Sequence, residues 1–422
     1  MRSLRRSTWF RSLALVSATA LALTGCSNNS GSTSTNSDRG PITYVQGKDN
    51  NNVIRPILQK WNDAHPDEKV TFKEQSDNAD QQHDDLVQHF QAKDADYDVV
   101  SVDVIWTAEF AAKGWLQPLK DDFAIDTSNL LKPTVAAATY NDTLYAAPVT
   151  SDGGLLYYRK DLVPTPPKTW DEMMADCQIA KQQNIDCYAG QFAQYEGLTV
   201  NVSEAINTNG GTIVGSDGKT PTLDTSQAKA GLQRLVDGFK SGNIPQSALT
   251  YQEEQGRQSF EAGKLLFLRN WPYVYSLAST DGSSVVKDSF AVAPLPGVSG
   301  VGTSSLGGHS AGMSVYSKHK GTALDFMKFL ESEEIQRLFV TQASNAPVMS
   351  KLYDDADLNK QLPYLSTLKT SIENAVPRPV SPFYPALTKA VQDNATEALK
   401  GTKSVDQALT DMSAAIKAAS GS

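Results

Sequence analysis

The chain is poor in the residues from which most reactive centres are built. Its five histidines, His65, His83, His89, His309 and His319, are scattered over 422 residues. None stands in an H-E-x-x-H pair, and His83 and His89 have the wrong spacing to share a helix face. Neither G-x-G-x-x-G nor G-x-x-x-x-G-K-[ST] occurs, so nucleotide and zinc chemistry lack support and no cofactor or metal is expected. Basic residues are also short: 38 Lys and Arg face 47 Asp and Glu, for a net charge of −9. That deficit argues against nucleic acid or anionic lipid as a partner. After Cys26 no apolar run approaches the ~20 residues that a membrane-spanning helix needs.

What is present begins at the N-terminus. Arg2, Arg5, Arg6 and Arg11, with no acid among them, precede the apolar run from Leu13 to Leu23 and then Leu23-Thr24-Gly25-Cys26. This is the order of a secretory signal, and the apolar run is too short to anchor the chain as a helix. The last four residues look like a lipobox, which makes Cys26 the expected lipidation site and new N-terminus. Residues 1–25 read as the lipoprotein signal peptide. Residues 26–40, rich in Ser, Asn, Thr and Gly, read as a flexible tether that cannot bury a core. Loss of the four arginines takes the charge from −9 to −13.

The remainder exceeds what one hydrophobic core usually serves, so two domains are expected. Ile42 to Gln46 reads as a strand and Asn51 to Ala64 as a helix with Val53, Ile54, Ile57, Leu58 and Trp61 on one stripe. A strand at Val70 to Glu74, a polar helix at Asp80 to Ala92 and a buried strand at Tyr97 to Val102, ending at Asp103, follow. This β-α-β-α-β order implies an α/β fold with a mostly parallel sheet, whose ligands sit beyond the C-terminal strand ends. Rim positions are therefore Gln46 to Asn50, Ser76 to Asn78 and Asp103 to Trp106. In Tyr145 to Arg159, Ser151-Asp152-Gly153-Gly154 interrupts a strand pattern and suggests a bulge or a crossing between lobes. Helices then outnumber strands, at Trp170 to Gln182, Gly197 to Asn209, Thr225 to Gly238 and Gln252 to Ala262. Strands are expected at Phe290 to Pro294 and Ala311 to Tyr316, one long helix at Gly321 to Thr341, and two more at Pro385 to Lys400 and Val405 to Ala419. In an exported chain, Cys177 and Cys187 favour a short-loop disulfide over zinc, because no histidine stands near enough to complete a metal site.

Gly308-His309-Ser310-Ala311-Gly312 matches the G-x-S-x-G nucleophile elbow letter for letter. That motif needs a strand before the serine, a helix after it, and an acid and then a histidine downstream. Here Thr303 to Gly307 is Ser/Gly-rich and Met313 to Tyr316 alternates like a strand. His319 is the only later histidine, and no acid lies between it and Ser310. The match reads as chance, so the chain is not expected to be an enzyme.

Carboxylates, amides and aromatics gather instead at strand ends and in loops: Asp77-Asn78, Asp103 with Trp106, Asp152, Tyr195-Glu196-Gly197, Asn270-Trp271-Pro272-Tyr273, and Arg378 near Phe383-Tyr384. Groups of this kind hold a sugar, with polar side chains at its hydroxyl edge and an aromatic ring under its C–H face. Trp61 and Trp115 sit in amphipathic patterns and read as core. A secreted glycoside hydrolase, using two of these acids, and a binding protein for a non-sugar solute are the competing readings. The absence of a basic cluster favours sugar over phosphate.

The run from Tyr97 to Leu119 resembles the extracellular solute-binding proteins of sugar ABC importers. So do Tyr145 to Leu162, Phe260 to Pro272, Leu306 to Val315 and Arg378 to Pro385. It is most similar to the maltose- and trehalose-binding subgroup, through Cys177 to Gly190 followed by Gln194 to Gly197 and through the Arg378 segment. The resemblance implies a periplasmic-binding-protein-like α/β fold, with two lobes, several hinge crossings and a ligand cleft between the lobes. It implies residues 41–149 plus 306–345 in one lobe and 150–305 plus 346–422 in the other. Asp103 would grip sugar hydroxyls, Asn270-Trp271 would supply the stacking ring, Gly307-Gly308 backbone amides, and Arg378 a contact to a second ring. Asp77, Asn78, Asp152 and Glu196 join them as candidates, with Trp106 and Tyr273, while Lys48-Asp49-Asn50 has no assigned role. The expected partners are an α-linked sugar, trehalose or maltose first, and ABC permease subunits in the membrane, with the chain a monomer on a lipid anchor.

Overall fold

The computed structural model describes residues 38–421; the expected signal peptide, Cys26 and most of the expected tether lie outside the described residues. The chain opens with β1 (Ile42–Gln46), α1 (Ile54–Ala64), β2 (Val70–Glu74), α2 (Ala79–Ala92) and β3 (Val99–Asp103). β1 pairs in parallel with β2, Ile42 opposite Val70, and with β3, Tyr44 opposite Val99. All five β3 residues are buried, as expected of a parallel strand with both sheet faces covered. α1 buries Ile54, Ile57, Leu58 and Trp61. The Asp49 carboxylate caps it, accepting the N–H of Val53 at 3.1 Å and of Ile54 at 2.8 Å.

Next come α3 (Thr107–Ala112), α4 (Lys132–Ala137) and a hairpin of β4 (Thr139–Tyr140) and β5 (Thr143–Leu144). Asn141 and Asp142 make its two-residue turn, both at positive φ. β6 (Ala146–Pro148) is followed by β7 (Asp152–Gly153) and β8 (Leu155–Arg159). The next stretch is helix-rich: α5 (Trp170–Gln183), β9 (Asp186–Ala189), α6 (Glu196–Thr208), α7 (Ser226–Lys240), α8 (Glu253–Glu261), β10 (Leu265–Asn270), α9 (Val274–Thr280) and β11 (Phe290–Pro294). β12 (Ser305–Gly307), β13 (His309–Met313), α10 (Lys320–Glu331) and α11 (Glu333–Ala343) lead to α12 (Ala356–Gln361), α13 (Leu365–Glu373), β14 (Val376–Pro377), α14 (Tyr384–Leu399) and α15 (Val405–Ser420).

Two principal sheets result, ordered β2-β1-β3-β13-β6 and β11-β8-β10-β9, each with its own helices, so the architecture is two α/β lobes. β6 belongs to the first sheet and β8 to the second, so residues 149–154 carry the chain from one to the other. The chain returns between β11 and β13. The two passages meet as β7 and β12, with β14 completing a small three-stranded sheet. In the first lobe α1 packs against α10 and α11, with Trp61 edge-on to Phe326 and Phe329, and Trp115 is buried beside Phe90 and Phe110. Both tryptophans are core, as their patterns predict.

Two sequence expectations change, and one strand was not expected at all. The helix predicted from Gly321 to Thr341 is two helices broken at Ser332, which is extended (φ −61°, ψ 147°). Ser followed by Glu333 and Glu334 is itself a helix start, and that local signal outweighs the apolar periodicity running through it. β10 escapes sequence reading because its apolar part, Leu265 to Leu268, is short and does not alternate, and the two residues that complete it, Arg269 and Asn270, are polar although buried. The strand expected at Ala311 to Tyr316 is instead His309–Met313, so Ser310 lies inside it, paired with Val102. A short strand does precede the serine, but no helix follows, so the elbow geometry is absent. Cys177 and Cys187 form the expected disulfide, linking α5 to β9.

Candidate functional site

A cavity of about 240 Å³ opens where strand ends of the two principal sheets face each other. From the first lobe, the loop after β1 contributes Lys48, Asp49 and Asn51, the end of β2 leads to Asp77, and β3 ends at Asp103. From the second, Trp271 and Tyr273 follow β10, and Tyr195 with Glu196 and Glu253 with Glu254 come from the starts of α6 and α8. Asp152, Gly307, Gly308 and Arg378 line it beside the inter-sheet passages.

Trp271 is the aromatic wall. On one face it carries the guanidinium of Arg269, whose central carbon is 3.9 Å from the ring centre. Arg269 is 1% exposed. Nε and Nη2 donate to Glu204 at 2.9 and 2.5 Å, and Nη1 donates to Gln191 at 3.0 Å. The ring's backbone is also fixed: Asn270, fully buried, accepts the Trp271 N–H at 2.8 Å and donates to the Glu253 carbonyl at 3.0 Å. A side chain at Gly307 would press on both Trp271 and Asp152, which explains the glycine there. Gly308 sits at φ +113°, where a Cβ would run into the Thr150 carbonyl. Small size and backbone freedom account for this pair.

The polar wall is a charge network. Arg378, 4% exposed, donates Nη1 to Glu196 at 2.5 Å and Nη2 to Asp103 at 3.3 Å. Glu196 is further occupied by Tyr384 and by Thr388, both at 2.6 Å. Burial raises the Glu196 pKa, with Arg378 and these donors pulling it back down. Nε of Arg378 has no hydrogen-bond partner among the described residues. His309 beside them is held below its usual pKa chiefly by burial, so it is neutral at pH 7. Asp152 differs from the other acids. Burial, and then the nearby charge of Asp103, push its pKa up to about 7, with Arg269 acting in the opposite direction.

Of the residues singled out from sequence, Asp77, Asp103, Asp152, Glu196, Trp271, Tyr273, Gly307, Gly308 and Arg378 share this cavity. Three do not line it. Asn78 is the N-cap of α2, accepting the Gln81 N–H at 3.0 Å. Trp106 is buried in the first lobe against His83 and Phe110. Asn270 lies behind Trp271 as described. Glu196 reaches the cavity, but its carboxylate is spent on Arg378, Tyr384 and Thr388. Sequence reasoning missed Asn51, Glu253 and Glu254. Glu253 accepts the Tyr195 hydroxyl at 2.7 Å and Glu254 that of Tyr273 at 2.7 Å. Both acids read from sequence as an ordinary helix start, and nothing local distinguishes them. Lys48-Asp49-Asn50, without a role from sequence, proves to be the cap of α1 and part of the rim.

Residues 47–337 match the family model described as bacterial extracellular solute-binding protein. The "Probable ABC transporter-binding protein" of Deinococcus radiodurans is 33% identical over 307 residues, 70% of this chain and 72% of that one. The "Maltotriose-binding protein" of Pyrococcus abyssi is 24% identical over 311 residues, 71% of this chain and 65% of its own length. Among solved structures, maltose-bound MalE3 of T. maritima superposes with a TM-score of 0.85 at 32% identity, covering 89% of this chain and 99% of that one.

Proposed function

The chain belongs to the bacterial extracellular solute-binding proteins, and from that premise we propose that it captures an α-linked disaccharide or short oligosaccharide, trehalose or maltose first. It then hands the sugar to the permease subunits of an ABC importer. The observation that carries this reading is the cavity's pairing of one immobilised indole with a ring of carboxylates and a single buried arginine. A hexose offers C–H faces to the first and a hydroxyl edge to the second. The names of the Pyrococcus and T. maritima relatives point to the same chemistry. The cavity's acid excess disfavours phosphorylated or carboxylated ligands.

In this reading the receptor binds and releases its sugar unchanged, with Glu196, Glu253 and Glu254 engaged in fixing Arg378, Tyr195 and Tyr273. Lipidation of Cys26 would tether it near the importer and keep captured sugar at high local concentration. Calorimetry of the chain from about Asp38 onward, titrated with trehalose, maltose, maltotriose and sucrose, tests the proposal. Saturable binding at micromolar or lower concentration is expected for at least one. Absence of heat and of thermal stabilisation with all four sugars would remove the sugar reading.

A further inference from the structure

The two lobes are tied to each other by side chains outside the sugar cavity. Asp80 stands in the first turn of α2, which packs on the first sheet through Leu86 and Phe90. Its carboxylate reaches across to the second lobe, where Oδ1 accepts the backbone N–H of Glu196 at 3.2 Å and Oδ2 faces the Gln392 amide at 3.4 Å. Glu196 is the first residue of α6. The residue before it, Tyr195, offers no side-chain cap, being too long to reach the helix N–H groups beside it, and its hydroxyl donates to Glu253. A helix leaves its first N–H groups without intrahelical partners and carries positive potential there, so a carboxylate from another element can serve as the missing cap. Here the cap comes from the opposite lobe.

We propose that Asp80 is a positioning residue, a latch that favours the closed arrangement of the two lobes and so raises the affinity of the cleft without touching the ligand. The cap can form only while the lobes are together. When they part, Glu196 N–H and the Gln392 amide turn to water, so loss of Asp80 penalises the closed arrangement and leaves the open one unaffected. Asp80 does not line the cavity, which separates its effect from that of a sugar contact. Asn51, which unlike Asp80 lines the cavity, donates to the Tyr273 carbonyl at 3.4 Å from the opposite rim and is a second and weaker tie between the lobes.

The inference requires two lobes that open and close and does not depend on which sugar binds. Small-angle scattering of the ligand-free Asp80→Ala variant and of the parent chain is the first readout, and calorimetry with maltose the second. Asp80→Ala is expected to increase the radius of gyration or to weaken maltose binding roughly three- to tenfold, the range set by loss of a helix cap. Gln392→Ala should give a smaller shift in the same direction. Superimposable scattering together with maltose affinity within about twofold of the parent would overturn the latch, even if the unfolding temperature fell, because Asp80 would then be an ordinary structural cap. If the parent chain does not bind maltose, the sugar proposal fails on its own and ligand-free scattering alone decides the latch.

Discussion

Arg269 sits 3.9 Å from the centre of the Trp271 ring and is gripped from its other side by both oxygens of Glu204. The Trp271 ring is therefore the far end of a buried ion pair, and its orientation is inherited from α6. Arg269→Lys keeps the charge but loses the planar, bidentate grip. It should weaken maltose binding by about tenfold, in the range expected when a stacking group is loosened. Glu204→Gln, which leaves Arg269 without its counter-charge, should cost about 3 to 5 kcal/mol of stability. Denaturant titration and calorimetry read the two effects, and unchanged affinity in Arg269→Lys would show that Trp271 holds its position without this support.

Trp271→Ala removes the platform itself. Binding should fall by more than about tenfold, with little change in unfolding midpoint because the indole is only half-buried. A variant that binds maltose as tightly as the parent would place the stacking surface elsewhere.

Asp103 and Arg378 make a separate test, since they connect the lobes through the cavity wall. Asp103→Ala leaves Arg378 with Glu196 as its remaining charged partner, so the fold should hold while sugar affinity drops by more than about tenfold. Arg378→Ala is the harsher change. It strands Glu196 in a buried site, and about 3 kcal/mol of stability should go with it. If Asp103→Ala bound maltose normally, Asp103 would be a structural partner of Arg378 and nothing more.

Much of this was legible in the sequence, and the limits of legibility have physical causes. Strands β1 and β2 fall at the residues their patterns predict, because each is bounded by turn residues and followed by a helix, the first with a clear apolar stripe and the second polar. The strand-end rule then places Asp77 and Asp103 at the cavity before any contact is known. Trp106 follows the same rule and fails, because the turn after β3 directs its side chain back into the core against Phe110. Glu253 and Glu254 were invisible for the opposite reason. A pair of acids at a helix start is explained locally by the helix dipole, and only the packing of α8 beside β10 brings them to Tyr195 and Tyr273. Glu196 and Arg378 both line the cavity, but sequence cannot show that they satisfy each other.

The disulfide between Cys177 and Cys187 closes a short loop joining α5 to β9. Replacing both cysteines with alanine should lower stability by about 2 to 3 kcal/mol without changing ligand affinity, because neither residue lines the cavity. Denaturant titration of the double variant and of the reduced parent should agree. A loss of sugar binding at a temperature where the variant remains folded would mean that the loop communicates with the site.

Asp152 gives the chain a pH dependence of definite sign. Its pKa is raised from 3.8 to about 7 by burial and by Asp103, so the folded chain holds a proton that the unfolded chain releases across that interval. A raised carboxylate pKa contributes stability that is fully present below pH ~4 and is lost as pH rises to ~7. Asp152→Asn cannot lose a proton, so it should be more stable than the parent at pH 7.5, by about 1 to 3 kcal/mol once partial solvation is allowed for. The difference should shrink towards zero by pH 4. Sugar affinity should move the other way in the parent: if the carboxylate accepts a ligand hydroxyl, binding weakens as pH falls through 7, and Asp152→Asn abolishes that slope. Thermal unfolding and calorimetry between pH 4 and 8 read both effects. A stability gap between the two chains that grows on acidification would reverse the assignment, making Asp152 an acid stabilised in its charged form.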